Sequence, residues 1–415
     1  MHSRVAEKNP VSTKATIIIA LAVIVVVMGV QFIVWPMAGL GQERYMRMYA
    51  TGRTVSYDFD SGASFHSNNS RFFYIATRDR VSLVPSGGGE ARWSHTFSIN
   101  RPVMVARGDV VAVGEVSGGH QIYVFDSNGL MYRVVFENPV LTFSVNEAGF
   151  LSAIVQYESG YGIYIYNHLN YTNPPIFYKS IHADQFFPLS VEVCNNGNFV
   201  AIAMLDLTTR LTTSVQLRYM NQWDAWGTDG GLFSEDTFPN YMITSMRFMA
   251  DNRLIVATTS QNSAQILCFR IQMGAGQSVV QQVWNINLLN TLTHLEFYGD
   301  RHFAYITGER FIGKDDADPV GTLRIVNIDG TQTGSFNLNR RASHLSMGQN
   351  AVIIGSDRNY HAIDFRGTHL WEHIVPHETR DVLFLDNTDT VLIAGANRAE
   401  VMQRRRVRLE EEEVF

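Results

Sequence analysis

Beyond about residue 50 the chain is written in short apolar runs of Val, Ile, Leu, Phe and Tyr, each broken by a few Gly, Asn or Asp. The arrangement recurs. One copy reads VMVARGDVVAV (103–113) and the next LTFSVNEAGFLSAIV (141–155). After these come LSVEVCNNGNFVAIAM (189–204), SMRFMADNRLIVATT (245–259) and HLEFYGDRHFAYIT (294–307). HLSMGQNAVIIG (344–355) and VLFLDNTDTVLIAG (382–395) close the series. β-Branched and aromatic runs joined through residues that accept positive φ are hairpins. A further strand and tight turn follow most pairs, as in QIYVFDSNGLMYRVVF (121–136), TLRIVNIDGTQTGSFNL (322–338) and YHAIDFRGTHLWEHIV (360–375). Four antiparallel strands repeated about every 45 residues predict the blades of a β-propeller. The inner runs are apolar on both faces, as sheets packed between neighbouring blades must be.

Eight starts of the inner pair are legible, the first near Phe65, so an all-β fold with eight blades is expected; seven is the alternative. The last repeat, from Arg380 to about Arg405, carries three clear strands. TVSYDF (54–59) is expected to supply its missing outer strand and close the ring.

Ahead of the repeat, residues 15–35 read ATIIIALAVIVVVMGVQFIVW, with Gln31 the one strongly polar side chain. About 20 such residues cross a hydrocarbon core of about 30 Å, and Trp35 suits a lipid–water boundary. The apolar core is too long, and 37–40 too poor a cleavage site, for a removable signal peptide. The expected layout is a cytoplasmic tail (1–14), one transmembrane helix (15–35), a linker (36–53), the propeller (54–406) and a charged tail (407–415). Arg4, Lys8 and Lys14 before the span favour N-in, C-out, which places the propeller outside the cytoplasmic membrane.

The 415 residues are 46% hydrophobic and 17% charged, a core-forming composition, and the net charge of −6 argues against a nucleic-acid partner. The two cysteines, Cys194 and Cys268, sit among apolar residues. They read as buried free thiols, with one disulfide as the alternative.

Residues 362–371, Ala362-Ile363-Asp364-Phe365-Arg366-Gly367-Thr368-His369-Leu370-Trp371, carry a recognisable motif. The stretch resembles the Ala-x-Asp-x-x-Thr-Gly-x-x-x-Trp repeat of pyrroloquinoline-quinone-like propellers, with one residue fewer between Asp364 and Gly367 and Arg366 standing where the motif has Thr. That resemblance implies a structural role for Asp364, Gly367 and Trp371, the Trp docking onto the adjacent blade. Trp93, after Gly88-Gly89-Glu90, is a weaker echo. The anchor-plus-propeller layout also resembles an uncharacterised family of membrane-anchored propellers of Gram-positive bacteria, which implies no activity.

Quinone enzymes of this fold hold their cofactor beside adjacent cysteines and a calcium site. Cys194 and Cys268 are far apart and no matching acidic set is present, so no cofactor is expected. Residues 308–314, GERFIGK, nearly spell a phosphate loop, but Asp315 stands where Ser or Thr must bind Mg²⁺. This reads as an acidic loop. His369, His373 and His377 recur at intervals of four. On a strand the even spacing puts His369 and His373 on one face about 13 Å apart, too far for one ion, so surface histidines and no metal site are expected.

Residues 221–241, NQWDAWGTDGGLFSEDTFPNY, combine Trp223, Trp226, Phe233 and Phe238 with acids in an unusually long connection. The four rings are candidate partner-binding residues. Alternatively, 221–228 is the blade's outer strand and both Trp rings pack on the sheet. The expected function is a non-catalytic binding or scaffolding module for a protein or envelope polymer, tethered at the membrane. The alternative is an envelope enzyme, a glycan hydrolase or lyase, whose mark would be channel carboxylates with raised pKa.

Overall fold

The most apolar runs become the second strand of each blade, which touches neighbours on both faces. Phe199–Asp206 and Arg253–Thr259 are buried along nearly their whole length. First strands alternate instead. In Met242–Met249, Met246 and Phe248 are core residues, and Arg247 between them lines a central cavity. The computed structural model describes residues 46–57, 62–68, 71–172, 175–220, 231–261, 263–273, 278–308, 321–338, 341–356, 358–385 and 389–406. Among these residues no helix is long and apolar enough to cross a membrane. The expected tail 1–14, span 15–35 and charged tail 407–415 lie outside the described residues.

Eight four-stranded antiparallel sheets form the blades. Blades 1 to 7 are sequential meanders that start at Ser64, Pro102, Val140, Phe186, Met242, Thr291 and His344. Blade 8 takes Asp381–Phe384, Thr390–Ala394 and Arg398–Arg406, and the N-terminal strand Met46–Ser56 completes it. Eight blades are therefore correct, and the ring closes through the N-terminal strand as anticipated. That strand begins at Met46 rather than Thr54, so part of the stretch read as linker is sheet. Thr51 Oγ1 donates to Val401 O at 2.8 Å and Tyr57 Oη to Gly395 O at 2.7 Å. Apolar side chains of blade 8 (Leu392, Val401) pack with Phe65 and Phe73 of blade 1 to seal the seam.

Core clusters lie between blades rather than within one. Phe199 and Leu217 of blade 4 meet Phe248 and Leu254 of blade 5, and Ile255 and Ile266 of blade 5 meet Phe303 of blade 6. A propeller of this kind is held by its interblade seams. Cys194 and Cys268 are buried free thiols, and burial raises both pKa values, that of Cys268 to about 12.

Candidate functional site

Where the first strands converge they enclose a cavity of about 910 Å³. Its wall carries His66, Arg107, Glu147, Arg247, Glu296 and Asp381, contributed by six blades or their turns. Strand alternation explains the set. Arg247 and Glu296 occupy matching places in blades 5 and 6, each flanked by apolar residues that turn into the sheet.

The charges are arranged in opposition. Arg107 Nη2 lies 3.6 Å from Glu192 Oε1 of blade 4, a carboxylate only 8% exposed. Arg247 donates through Nη2 to Gly299 O at 3.0 Å, and its guanidinium sits 5.1 Å from the centre of the Phe297 ring. Burial lowers the Arg247 pKa, but a guanidinium remains a cation at neutral pH. Burial also raises the pKa values of Glu192 and Glu296, against the pull of Arg107 and Arg247.

On the opposite wall Asp381 is pushed up to about 6 by burial. His344 Nε2 lies 3.7 Å from Asp381 Oδ1 and 2.9 Å from Val382 O, and burial lowers its pKa. His66 Nε2 is 3.0 Å from Gly108 O, and burial brings its pKa down to about 4, so the ring is neutral at physiological pH. Sequence reading missed this cluster because its members are single polar residues inside apolar strands. The only signal was a charge in an otherwise core-like run, as in MRFM or LEFY.

The residues implicated in blade docking lie at seams. Asp364 Oδ1 accepts from Arg366 N (2.9 Å) and Thr368 N (2.7 Å), which shapes the turn. Gly367 sits at φ +89°, and a Cβ there would lie 2.6 Å from Ser335 O of blade 6. Trp371 is 3% exposed, with its ring 6.4 Å from Phe384 of blade 8. Trp93 Nε1 donates to Ser127 O of blade 2 at 3.2 Å. Trp284, not singled out from the sequence, donates to Ile328 O of blade 6 at 3.0 Å, and a Cβ on Gly330 would lie 2.9 Å from its ring. Arg253 joins the same turn, at 2.8 Å from Ile328 O and 2.7 Å from Asp329 Oδ1.

The partner-binding candidates divide. Trp223 and Trp226 lie outside the described residues, as does the acidic loop 309–320. Blade 4's outer strand is Leu232–Pro239 rather than 221–228. This puts Phe238, 8% exposed, into the core between blades 4 and 5. Phe233 packs against Tyr219 at 4.5 Å and Phe199 at 5.5 Å. Both phenylalanines therefore serve packing: Phe238 is turned inward by strand pairing, and Phe233 reaches the same cluster as the unpaired residue of a bulge between Leu232 and Ser234. Exposed apolar side chains occur elsewhere among the described residues. In the connections between third and fourth strands, blade 3 presents Leu169 (74% exposed) and Tyr171 (44%), and blade 5 presents Met273 (64%), followed by Val279 (59%).

The fold and cavity define an eight-bladed β-propeller with a charge-lined centre. The chain belongs to a family of unknown function, DUF5711, whose sequence profile matches residues 45–403. No curated protein matches it. Among solved structures it is similar to BamB from Moraxella catarrhalis, at 14% identity and TM-score 0.43, over 87% of this chain and 99% of that one. The Neurospora crassa Pan2 WD40 domain gives 8% identity and TM-score 0.45, over 87% and 96% of the two chains.

Proposed function

We propose that this propeller is a non-catalytic binding module that holds a protein or cell-envelope partner at the outer face of the cytoplasmic membrane, tethered by residues 15–35. The observation that carries the reading is the exposed apolar set Leu169 and Tyr171 in blade 3 and Met273 and Val279 in blade 5, at or beside the connections between third and fourth strands. Large apolar side chains held exposed on a rigid scaffold are what a partner surface requires. The sequence of blade 4 between its third and fourth strands adds Trp223 and Trp226, residue types that dominate binding energy when a partner buries them. The test is crosslinking and affinity purification of the full chain from native membranes, beside Trp223→Ala/Trp226→Ala and Leu169→Ser/Met273→Ser variants. A partner recovered with the parent chain and lost with both pairs, at unchanged melting temperature, is the expected result. Equal recovery with all three chains would remove these residues as the binding surface.

One observation favours a second reading, an envelope enzyme acting on glycans. Glu296 and Asp381 have raised pKa values in the wall of a cavity large enough for a saccharide, which suits a general acid. Under that reading Asp381→Asn would abolish turnover of wall glycan and leave partner recovery intact.

A further inference from the structure

We propose that His361, His369 and Glu372, gathered on one face of blade 7, form a site for a divalent transition cation of the zinc class. Their ligand atoms, one from each residue, all lie within 4.8 Å of one another. The two imidazoles are already in contact, with His361 Nδ1 3.2 Å from His369 Nε2. Ligands about 2.0–2.1 Å from a tetrahedral zinc stand about 3.3 Å apart. The imidazole pair is therefore at bonding separation for one ion, and a carboxylate oxygen of Glu372 lies within 4.8 Å of both. Two histidines and a carboxylate with a position left open is a ligand set that zinc and other first-row cations accept.

The cluster exists because of a bulge. His361, in the third strand Asn359–Asp364, pairs directly with Glu372 in the fourth strand His369–Ile374, so the two share a face. His369 precedes Glu372 by three positions and would face the other way in a regular strand. The register shift between Ala362 and Ile363 reverses this and sets His369 beside His361. The same shift separates His369 from His373, so the face-sharing expected from their even spacing is overturned.

The site is also braced. Phe336 of blade 6 stacks on His369 at 5.8 Å and 16°, and lies 5.9 Å from His361. Asn359 Nδ2 donates to Glu372 Oε1 at 2.5 Å, the kind of outer contact that orients a ligating carboxylate. Beneath them Trp371 is buried, which fixes the strand that carries two of the three ligands. In the metal-free protein one imidazole N–H points at the other's lone pair. A bound ion takes both lone pairs once that ring shifts its proton to the remote nitrogen, and no oxidant or reductant is involved.

The experiment is equilibrium dialysis of the tag-free full chain in detergent against Zn²⁺, with His369→Ala, Glu372→Gln and His377→Ala variants. The expected result is one ion per chain. Affinity should fall by more than the ~10–100-fold that losing an outer contact typically costs in the first two variants, and remain unchanged in His377→Ala. The first two residues are exposed, so their variants should melt at the parent temperature without zinc. Tetrahedral absorption bands with Co²⁺, lost in His369→Ala, give a second readout. Absence of stoichiometric zinc, or zinc binding indifferent to both cluster variants, overturns the proposal.

Discussion

Asp381 and His66 face the same cavity, and burial acts on them with opposite signs. Burial raises Asp381 from 3.8 to about 6, so across that window the folded chain holds more protons than the unfolded one. Its contribution to stability is therefore lost as pH rises from about 4 to about 6 and is constant above. Burial lowers His66 from 6.5 to about 4, so there the unfolded chain holds more protons, and stability grows as pH rises through nearly the same window. The two slopes oppose each other, with neutral His344 beside Asp381 adding to the His66 trend. Asp381→Asn should be more stable than the parent at pH 7, by up to about 3 kcal/mol, and equal to it below about pH 4. His66→Gln should show its relative gain only below about pH 6. Urea titrations between pH 4 and 8 check both; pH-independent differences would contradict the assigned shifts. Neither residue was legible as part of a cluster, since one charged position in an apolar strand does not say which distant strands face it.

The blade seam is the element that holds the fold together, and its reinforcement is uneven. Seams 1–2 and 5–6 are bridged by a Trp from an outer strand to the next blade's turn, and seam 7–8 by Trp371 against Phe384. Trp371→Ala removes a buried indole and should cost about 3–5 kcal/mol, seen as a clear fall in the denaturation midpoint. Gly367→Ala should also destabilise, by more than about 1 kcal/mol, because a Cβ at positive φ meets Ser335 O of blade 6. An unchanged midpoint in either variant would deny these contacts a structural role. Trp371 was readable because its motif is contiguous. Trp284 was not, because its receiving carbonyl, Ile328 O, lies 44 residues later and no local pattern connects them.

At the scale of the molecule, stability depends on closing a ring. A chain lacking 46–56 leaves blade 8 with three strands and opens the edge of Arg398–Arg406. An unpaired edge exposes backbone donors and acceptors and invites association. Such a truncation should melt well below the parent and aggregate. A monomeric truncation with the parent melting temperature would show that the closing strand is dispensable. Adding 46–56 as a peptide should restore stability in a concentration-dependent way, as mass action requires.

What the sequence determined alone was local. Alternating apolar runs, turn residues and their spacing specified strands, blades and the need for an N-terminal closing strand, because hairpin pairing joins neighbours in the chain. The tertiary structure decided everything that joins residues from different blades or from opposite sides of a bulge. It gathered Arg107, Glu192, Arg247 and Glu296 at the centre, and it moved Phe238 from candidate surface to core. It also turned His369 toward His361 and Glu372 through one extra residue in a strand. The reason is geometric. A period-two pattern fixes which face a side chain takes only while register holds, and which strands face one another across a cavity is set by ring closure.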